Sequence, residues 1–306
     1  MRAQTPSRTA EIVAAYLVLL SRHPASGAIV PPEAAAASRW FLEAIPGLHG
    51  SFYRLVAPLF DVPLVRASLR RFERLPPPRM ALGFGLRRRW IEDQVRAALA
   101  AGCSQMVVLG AGFDTLAYRL HRALPDARFW EIDHPATQRV KRAALDAHGG
   151  VAPNLTLLPV DFTQRTLDEV LSSLPGYDPR AATAFLAEGL LMYLAEDEVR
   201  ATLQAVHAHS GEGSQFVGTA VAVTPEGRLD TPGVSWLDEQ RLRLLGEPVK
   251  WGLPRGGLGG FLSGLAFALK EEVRAPELLG RYLPSARPGS RLSDTESFFV
   301  AARVGG

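Results

Sequence analysis

Four apolar runs in the middle of this chain, at residues 106–109, 128–132, 156–160 and 183–187, each stop at a glycine or a carboxylate and give way to a segment of helical spacing. No other feature of the sequence restricts the fold more. Short apolar runs of this kind are strands buried on both faces, and strands alternating with helices build a parallel sheet covered on both sides. The residues that close the runs are Gly110, Asp133, Asp161 and Glu188. In such sheets ligands bind beyond the carboxyl ends of the strands, where these four residues fall. A fifth strand is expected at 215–223, and 267–273 and 296–304 read as the last two. No crossover helix is evident before the final strand, which implies an antiparallel insertion.

The first run passes directly into Gly110, Ala111 and Gly112, then Phe113, Asp114, Thr115 and a helix. The two glycines let the backbone turn sharply and approach a ligand with no Cβ in the way. The helix N-terminus behind them presents N–H groups. About twenty residues on, Glu131 and Asp133 close the second run, placed to accept hydrogen bonds from ribose hydroxyls. Both lie on one strand face, and Asp133 is the nearer to the strand end. The turn reads G-x-G-x-x-T, with Thr115 where a dinucleotide fingerprint has Gly or Ala. Asp114 in the same turn would repel a diphosphate and attract a cationic group. These two residues count against NAD and NADP. They favour S-adenosylmethionine, which carries a sulfonium and an ammonium.

Three blocks carry a resemblance to a known family. Val107-Val-Leu-Gly-Ala-Gly-Phe-Asp-Thr-Leu-Ala-Tyr-Arg-Leu120, Phe129-Trp-Glu-Ile-Asp-His-Pro135 and Ala187-Glu-Gly-Leu-Leu-Met-Tyr-Leu194 look like the signature blocks of the leucine carboxyl methyltransferase family. That family includes bacterial S-adenosylmethionine-dependent O-methyltransferases and the tetracenomycin-type polyketide carboxyl methyltransferases. A weaker match at Ser7-Arg-Thr-Ala10 extends the resemblance to the N-terminal region.

The resemblance implies an α/β fold: a class I methyltransferase-like Rossmann sheet, mostly parallel with an antiparallel C-terminal strand, under an N-terminal helical cap. It implies S-adenosyl-L-methionine as cofactor and S-adenosyl-L-homocysteine as product. Gly110, Ala111, Gly112 and Asp114 would surround the methionine portion, and Asp133 or Glu131 would take the ribose. Asp161 would accept from the adenine amine, with Phe162 over the ring. Glu188, followed by Gly189, would hold the amino group. Arg87 would pair with the methionine carboxylate, with Arg88 and Arg89 as alternatives because a three-arginine run permits a register slip. Asp161 also suits a helix cap, and Arg87 a solvated helix face.

No base constellation stands out, so catalysis rests on alignment and in-line transfer, with His134 and Tyr193 as the candidates for a direct role. The expected acceptor is a small-molecule carboxylate of the polyketide or secondary-metabolite kind. Phenols or other hydroxyls and a protein C-terminal carboxylate are alternatives. So are an NAD(P)-dependent oxidoreductase and a non-catalytic cofactor-binding protein.

Helices are expected at 6–22 and 33–45, with further helical pattern at 50–75 broken by Pro58 and Pro63. Leu75-Pro-Pro-Pro78 is a stiff connection. It divides the chain into a cap at 1–78 and a cofactor domain at 79–306, which opens with a helix at 87–101. Residues 224–260, rich in Gly, Pro and charge around a short helix at 236–245, read as a lid insertion with a glycine hinge at 252–260. Trp40, Phe41, Phe52, Tyr53, Trp236 and Trp251 are the candidate pocket walls. Arg22, Arg39, Arg54 and Arg255 are the candidate clamps for an acceptor carboxylate.

The net charge is only +3, and the arginine clusters at 70–71 and 87–89 lack interleaved aromatics, so no nucleic-acid partner is expected. Cys103 is the single cysteine, which excludes an internal disulfide and a Cys-based zinc site. His207 and His209 are two apart on a helix and point apart, so no metal is expected. No stretch has the roughly 18–20 apolar residues of a membrane helix. The apolar run at 12–20 is bordered by Glu11 and reads as a helix rather than a signal segment. A cytoplasmic protein follows. Its oligomeric state is not legible.

Overall fold

The computed structural model describes residues 6–23, 26–56, 79–224, 228, 249–284 and 292–305. Helices α1 (Arg8–Ser21), α2 (Pro32–Ala44) and α3 (Leu48–Val56) come first, and α4 (Arg79–Ala100) leads into the alternating series. That series is β1 (Gln105–Leu109), α5 (Leu116–Leu120), β2 (Arg128–Asp133), α6 (Pro135–Asp146), β3 (Leu155–Pro159), α7 (Leu167–Ser172), β4 (Thr183–Ala187), α8 (Glu196–Ala208) and β5 (Gln215–Val221). It is followed by α9 (Leu258–Ser263), β6 (Phe267–Arg274), α10 (Ala275–Tyr282) and β7 (Glu296–Arg303).

The strands form one sheet in the order β3-β2-β1-β4-β5-β7-β6. Strands β1 to β5 are mutually parallel, and β7 runs antiparallel between β5 and β6. The order reverses at β1, which lies between β2 and β4. That reversal opens the crevice where sheets of this kind hold ligands.

Every residue of β1 and β4 is buried. Alternation along the strands feeds two cores. Met106, Val108, Phe129, Leu157 and Leu186 face one core together with α1, α2, α4 and α6. Val107, Leu109, Trp130, Ile132 and Phe185 face the other, under α7, α8 and α9. The N-terminal helices therefore share a core with the sheet: Val13, Leu17, Leu20 and Phe41 lie in the first cluster. Burying each such side chain contributes about 1.5–3 kcal/mol.

Local chemistry sets the helix starts. Ser7 Oγ accepts from Ala10 N at 3.2 Å to cap α1. Pro32 and Pro135 occupy the first turns of α2 and α6, where a missing N–H is harmless. Thr166 and Glu169 form a reciprocal capping box on α7.

Helix α4 begins at Arg79 rather than at residue 87. Gly83 and Gly85 hide its first turns from a pattern reading. Gly85 is required by packing, since a Cβ there would meet Leu20 Cδ2 of α1 at 2.2 Å. Two further helices went unread. Helix α9 is glycine-rich and takes in only the last three positions of the expected hinge, 258–260. Helix α10 crosses between the last two strands and opens with Pro276, while Glu277 accepts from Arg274 N at 3.0 Å. The antiparallel direction of β7 was expected, but not this helix before it. Strand β5 stops at Val221, and Ala222 then bridges Leu253. The proline connection at 75–78, and most of 224–260 including the expected helix at 236–245, lie outside the described residues. No described helix is long and apolar enough to cross a membrane.

Candidate functional site

The glycine turn sits at the carboxyl end of β1, at the point where the strand order reverses. Gly110 and Gly112 have φ of +64° and +48°, the left-handed region that strains a residue with a Cβ. A Cβ on Gly110 would lie 2.9 Å from Leu190 Cδ1, and one on Gly112 would lie 3.1 Å from Ala10 Cβ. The turn is therefore closed in by the first turn of α1 on one side and by the segment after β4 on the other. Ala111 N is tied back to Ile132 O at 3.1 Å.

Asp114 accepts from Leu116 N at 2.6 Å, which fixes the start of α5. Its other oxygen pairs with Arg88 Nη1 at 3.2 Å. Asp133 accepts from Gly112 N and, at 2.5 Å, from His134 N. Burial pushes the Asp133 carboxyl above its ordinary range, against these two donors. A carboxylate has about four lone-pair sites, so ribose hydroxyls remain within its acceptor capacity.

Glu131 has a different setting. It is fully buried and paired with the equally buried Lys141 Nζ of α6. The Lys141 ammonium also lies 5.5 Å from the Phe41 ring centroid of α2. Burial pushes Glu131 up to about 7. Of the two carboxylates read as ribose ligands, this one is committed to the interior.

Glu188, just beyond β4, is the centre of a charge cluster. Its Oε1 accepts from Arg87 Nε at 2.8 Å and Arg88 Nε at 3.3 Å, and lies 2.7 Å from Arg87 Nη2. Its Oε2 is buried with no hydrogen-bond partner. Arg87 is buried as well, which overturns the solvated-face reading. Its Nη1 donates to both oxygens of Glu296 at 3.0 and 2.9 Å, and its guanidinium stands 4.9 Å from the Phe84 ring centroid. Burial alone would lower the Arg87 pKa, but Glu296 and Glu188 raise it on balance. For Glu188 burial acts upward, and Arg88 and Arg87 overcome it, holding the carboxyl below its ordinary range. Gly189 has φ +59°, and its N–H donates to Thr219 Oγ1 at 2.9 Å. Glu296 went unrecognised in the sequence: it lies 209 residues from Arg87 and arrives through the sheet alone.

Asp161 and Phe162 follow β3, beside Asp133, whose carbonyl accepts from Val160 N at 2.8 Å. Asp161 accepts from Thr163 N and Oγ1 at 2.9 and 2.7 Å, and these bonds hold its carboxyl below the ordinary value. It does not cap α7, because Thr166 does. Phe162 is exposed, free to cover a planar ligand. His134 caps α6 through Nδ1, which accepts from Ala136 N at 3.2 Å. Tyr193 lies half-buried in the 3₁₀ turn Leu191–Tyr193.

A narrow cleft runs between the N-terminal helices, α4 and the start of α5, lined by Ile29, Pro31, Arg88, Asp114, Leu116 and Glu188 among others. Two expected pocket walls are core residues instead: Phe41 packs against Phe113, and Trp251 is buried against Phe261. Trp40 is stacked on His148 at 4.1 Å, and Tyr53 is half-buried. The Phe52 side chain and Trp236 lie outside the described residues. Among the candidate clamps, Arg39 pairs with Glu43, Arg54 with Ser51 and the Glu43 carbonyl, and Arg255 with Asp294, while Arg22 follows the end of α1. The structure brings Arg88 to the cleft and leaves those three arginines engaged elsewhere. Among the described residues no metal-binding group of three or more His, Cys, Asp or Glu is present.

Residues 61–207 match the sequence profile of the family described as Leucine carboxyl methyltransferase. The resemblance carried by the three blocks is thereby borne out. A "Putative S-adenosyl-L-methionine-dependent methyltransferase" of Mycolicibacterium smegmatis is 36% identical over 142 residues, 46% of this chain and 44% of that protein. A protein of the same description from Frankia alni is 32% identical over 175 residues, 52% of this chain and 60% of that one. The matches thus span about half the length of these relatives. A crystal structure of a "putative methyltransferase" from Thermobifida fusca aligns over 99% of this chain and 97% of its own, with a TM-score of 0.55 and 19% identity. That likeness speaks for the fold, a class I methyltransferase sheet.

Proposed function

We propose that this chain, with a leucine carboxyl methyltransferase match across 61–207, is an S-adenosylmethionine-dependent O-methyltransferase acting on a carboxylate of a small molecule. One observation carries the reading. At the reversal point of the sheet, Asp114, Glu188 and Glu296 face Arg87 and Arg88, and Glu188 Oε2 is buried without a partner. Three carboxylates against two guanidinium groups leave an excess of negative charge, and a buried acceptor without a donor is costly. A ligand bearing an ammonium satisfies both.

The residues present fit S-adenosylmethionine. Glu188 Oε2 would take its ammonium, the carboxylate of Asp133 its ribose, Asp161 its adenine amine, and Phe162 would cover the ring. The Gly110–Gly112 backbone lets it approach closely. Arg87 or Arg88 would take its carboxylate. The cofactor supplies an activated methyl group on a sulfonium. What remains for the protein is to align the acceptor and exclude water. The cleft beneath α1 and α2 gives the acceptor an approach from the side of the N-terminal helices. A carboxylate acceptor, with pKa of roughly 4, is already ionised at neutral pH and needs no base. A phenol, near 10, needs one. The histidine beside the ribose carboxylate does not supply it, because His134 Nδ1 is occupied as a cap, and His121 sits at the amino end of the sheet, where its Nε2 accepts from Ala152 N ahead of β3. We place the protein in the cytoplasm, free of nucleic acid and membrane.

Titration calorimetry should show binding of S-adenosylhomocysteine and none of NAD or NADP; the reverse result would sink the cofactor reading. Transfer of labelled methyl to a panel of aromatic and polyketide-like acids should give products that release methanol in mild alkali. Alkali-stable products would mean an ether and a hydroxyl acceptor.

A further inference from the structure

Arg87 has no free edge. Its Nε and Nη2 lie against Glu188 Oε1 at 2.8 and 2.7 Å, and Nη1 is held by both oxygens of Glu296. A guanidinium binds a carboxylate ligand through a two-nitrogen edge. For Arg87 to take the carboxylate of an amino-acid ligand, one protein carboxylate must yield. The two are not equally held. The Glu188 side chain is 8% exposed and shared with Arg88, whereas that of Glu296 is 23% exposed and rests on Arg87 among the described residues. Withdrawing a buried, doubly paired carboxylate is far costlier than releasing one already near solvent. Glu188 also has an oxygen with no donor, so a ligand ammonium there would not compete with Arg87 or Arg88.

We infer that Glu296 is a displaceable partner of Arg87. It neutralises and positions the guanidinium in the ligand-free protein, then gives it up to the carboxylate of the cofactor's methionine portion. This rests on the cofactor reading above. It adds a competitor supplied by β7, from outside the segment that matches the family. Glu296 stands at the start of β7 opposite Val221, the last residue of β5, on the rim of the sheet where its side chain has somewhere to go. Glu296 is accordingly a positioning residue that sets how tightly the amino-acid end of the cofactor is held.

The test compares two probes. S-adenosylhomocysteine has the carboxylate; 5′-methylthioadenosine has the adenosine and thioether but no amino acid. Glu296→Gln, which removes the competing charge and keeps the side chain's length, should bind S-adenosylhomocysteine about tenfold more tightly than the parent. Binding of 5′-methylthioadenosine should not change. Unchanged or weaker binding of S-adenosylhomocysteine would overturn the inference, and so would an equal gain for both probes. A parent that binds neither probe would overturn the cofactor reading, and this inference with it. If Glu296→Gln does not fold, Glu296→Asp, one methylene shorter, should shift the same ratio in the same direction.

Discussion

Strands β2 and β4 flank β1 on either side, and each brings one buried glutamate to the crevice end of the sheet. The two glutamates live in opposite circumstances. Glu131 on β2 is sealed with one lysine: both side chains are fully buried, the charges cancel, and an aromatic ring lies beside the ammonium. Glu188 after β4 stands in an unbalanced group, with Asp114 and Glu296 as the other carboxylates against Arg87 and Arg88, and it touches a cleft. Burial alone therefore does not mark a binding carboxylate. Both glutamates keep a buried oxygen that no donor in the protein reaches, so what separates them is charge balance and access: Glu131 faces one lysine in a sealed interior, whereas Glu188 belongs to three carboxylates set against two guanidinium groups beside a cleft. A balanced, sealed pair fastens helices to a sheet, whereas an unbalanced one is an invitation to a ligand.

The contrast is sharpest in stability. Lys141→Met should cost about 3–5 kcal/mol, because it leaves Glu131 buried and unpaired. Lys141→Met with Glu131→Leu should recover most of that loss, and chemical denaturation of both variants measures it. The effect carries a pH signature. The folded pKa of Glu131 stands at about 7, above the ordinary 4.5, so the folded state holds the extra proton between those values and the group's contribution falls as pH climbs through that window. Removing Lys141 takes away a charge that lowers that pKa, so the defect should be larger at about pH 8 than at about pH 5. A defect independent of pH would break the comparison from the Glu131 side.

Glu188→Gln should act on binding instead. Hydrogen bonds to charged groups contribute about 1.5–3 kcal/mol, so affinity for S-adenosylhomocysteine should fall roughly 10–100-fold. The loss of stability should stay well below that of Lys141→Met, because Arg87 keeps Glu296 and Arg88 keeps Asp114. A destabilised variant with unchanged affinity would put Glu188 in the same class as Glu131. The smallest effect is expected from Asp161→Ala, about two- to tenfold weaker binding of the same ligand with no change in melting temperature, since the helix beyond it has its own cap. Equal affinity would confine Asp161 to its turn.

The sequence made the sheet legible because its central strands are buried on both faces and read as plain apolar runs ending in acids. The glycine turn was legible for a local reason too, since two left-handed residues in three positions leave few residue choices. What escaped detection depends on distance along the chain. Lys141 and Glu131 are ten positions apart, and nothing in either neighbourhood says that strand and helix will bury them face to face. Glu296 meets Arg87 only because β7 inserts beside β5. The start of α4 was hidden by a glycine that serves a neighbouring helix. Helix α10 did carry a local signal, proline followed by glutamate at its first turn.

The approach of Ala10 to Gly112, and the bond from Ser7 N to Thr137 Oγ1 at 3.2 Å, join positions separated by 130 residues in the second case. Ser7 is synthesised long before its partner exists, so this wall of the crevice has to wait for the sheet behind it. Closing a loop of that length is slow and entropically unfavourable until many contacts form together. Competence to bind at the glycine turn should therefore arrive late in folding, after the strands have paired, and would report the docking of the first helix rather than the assembly of the sheet.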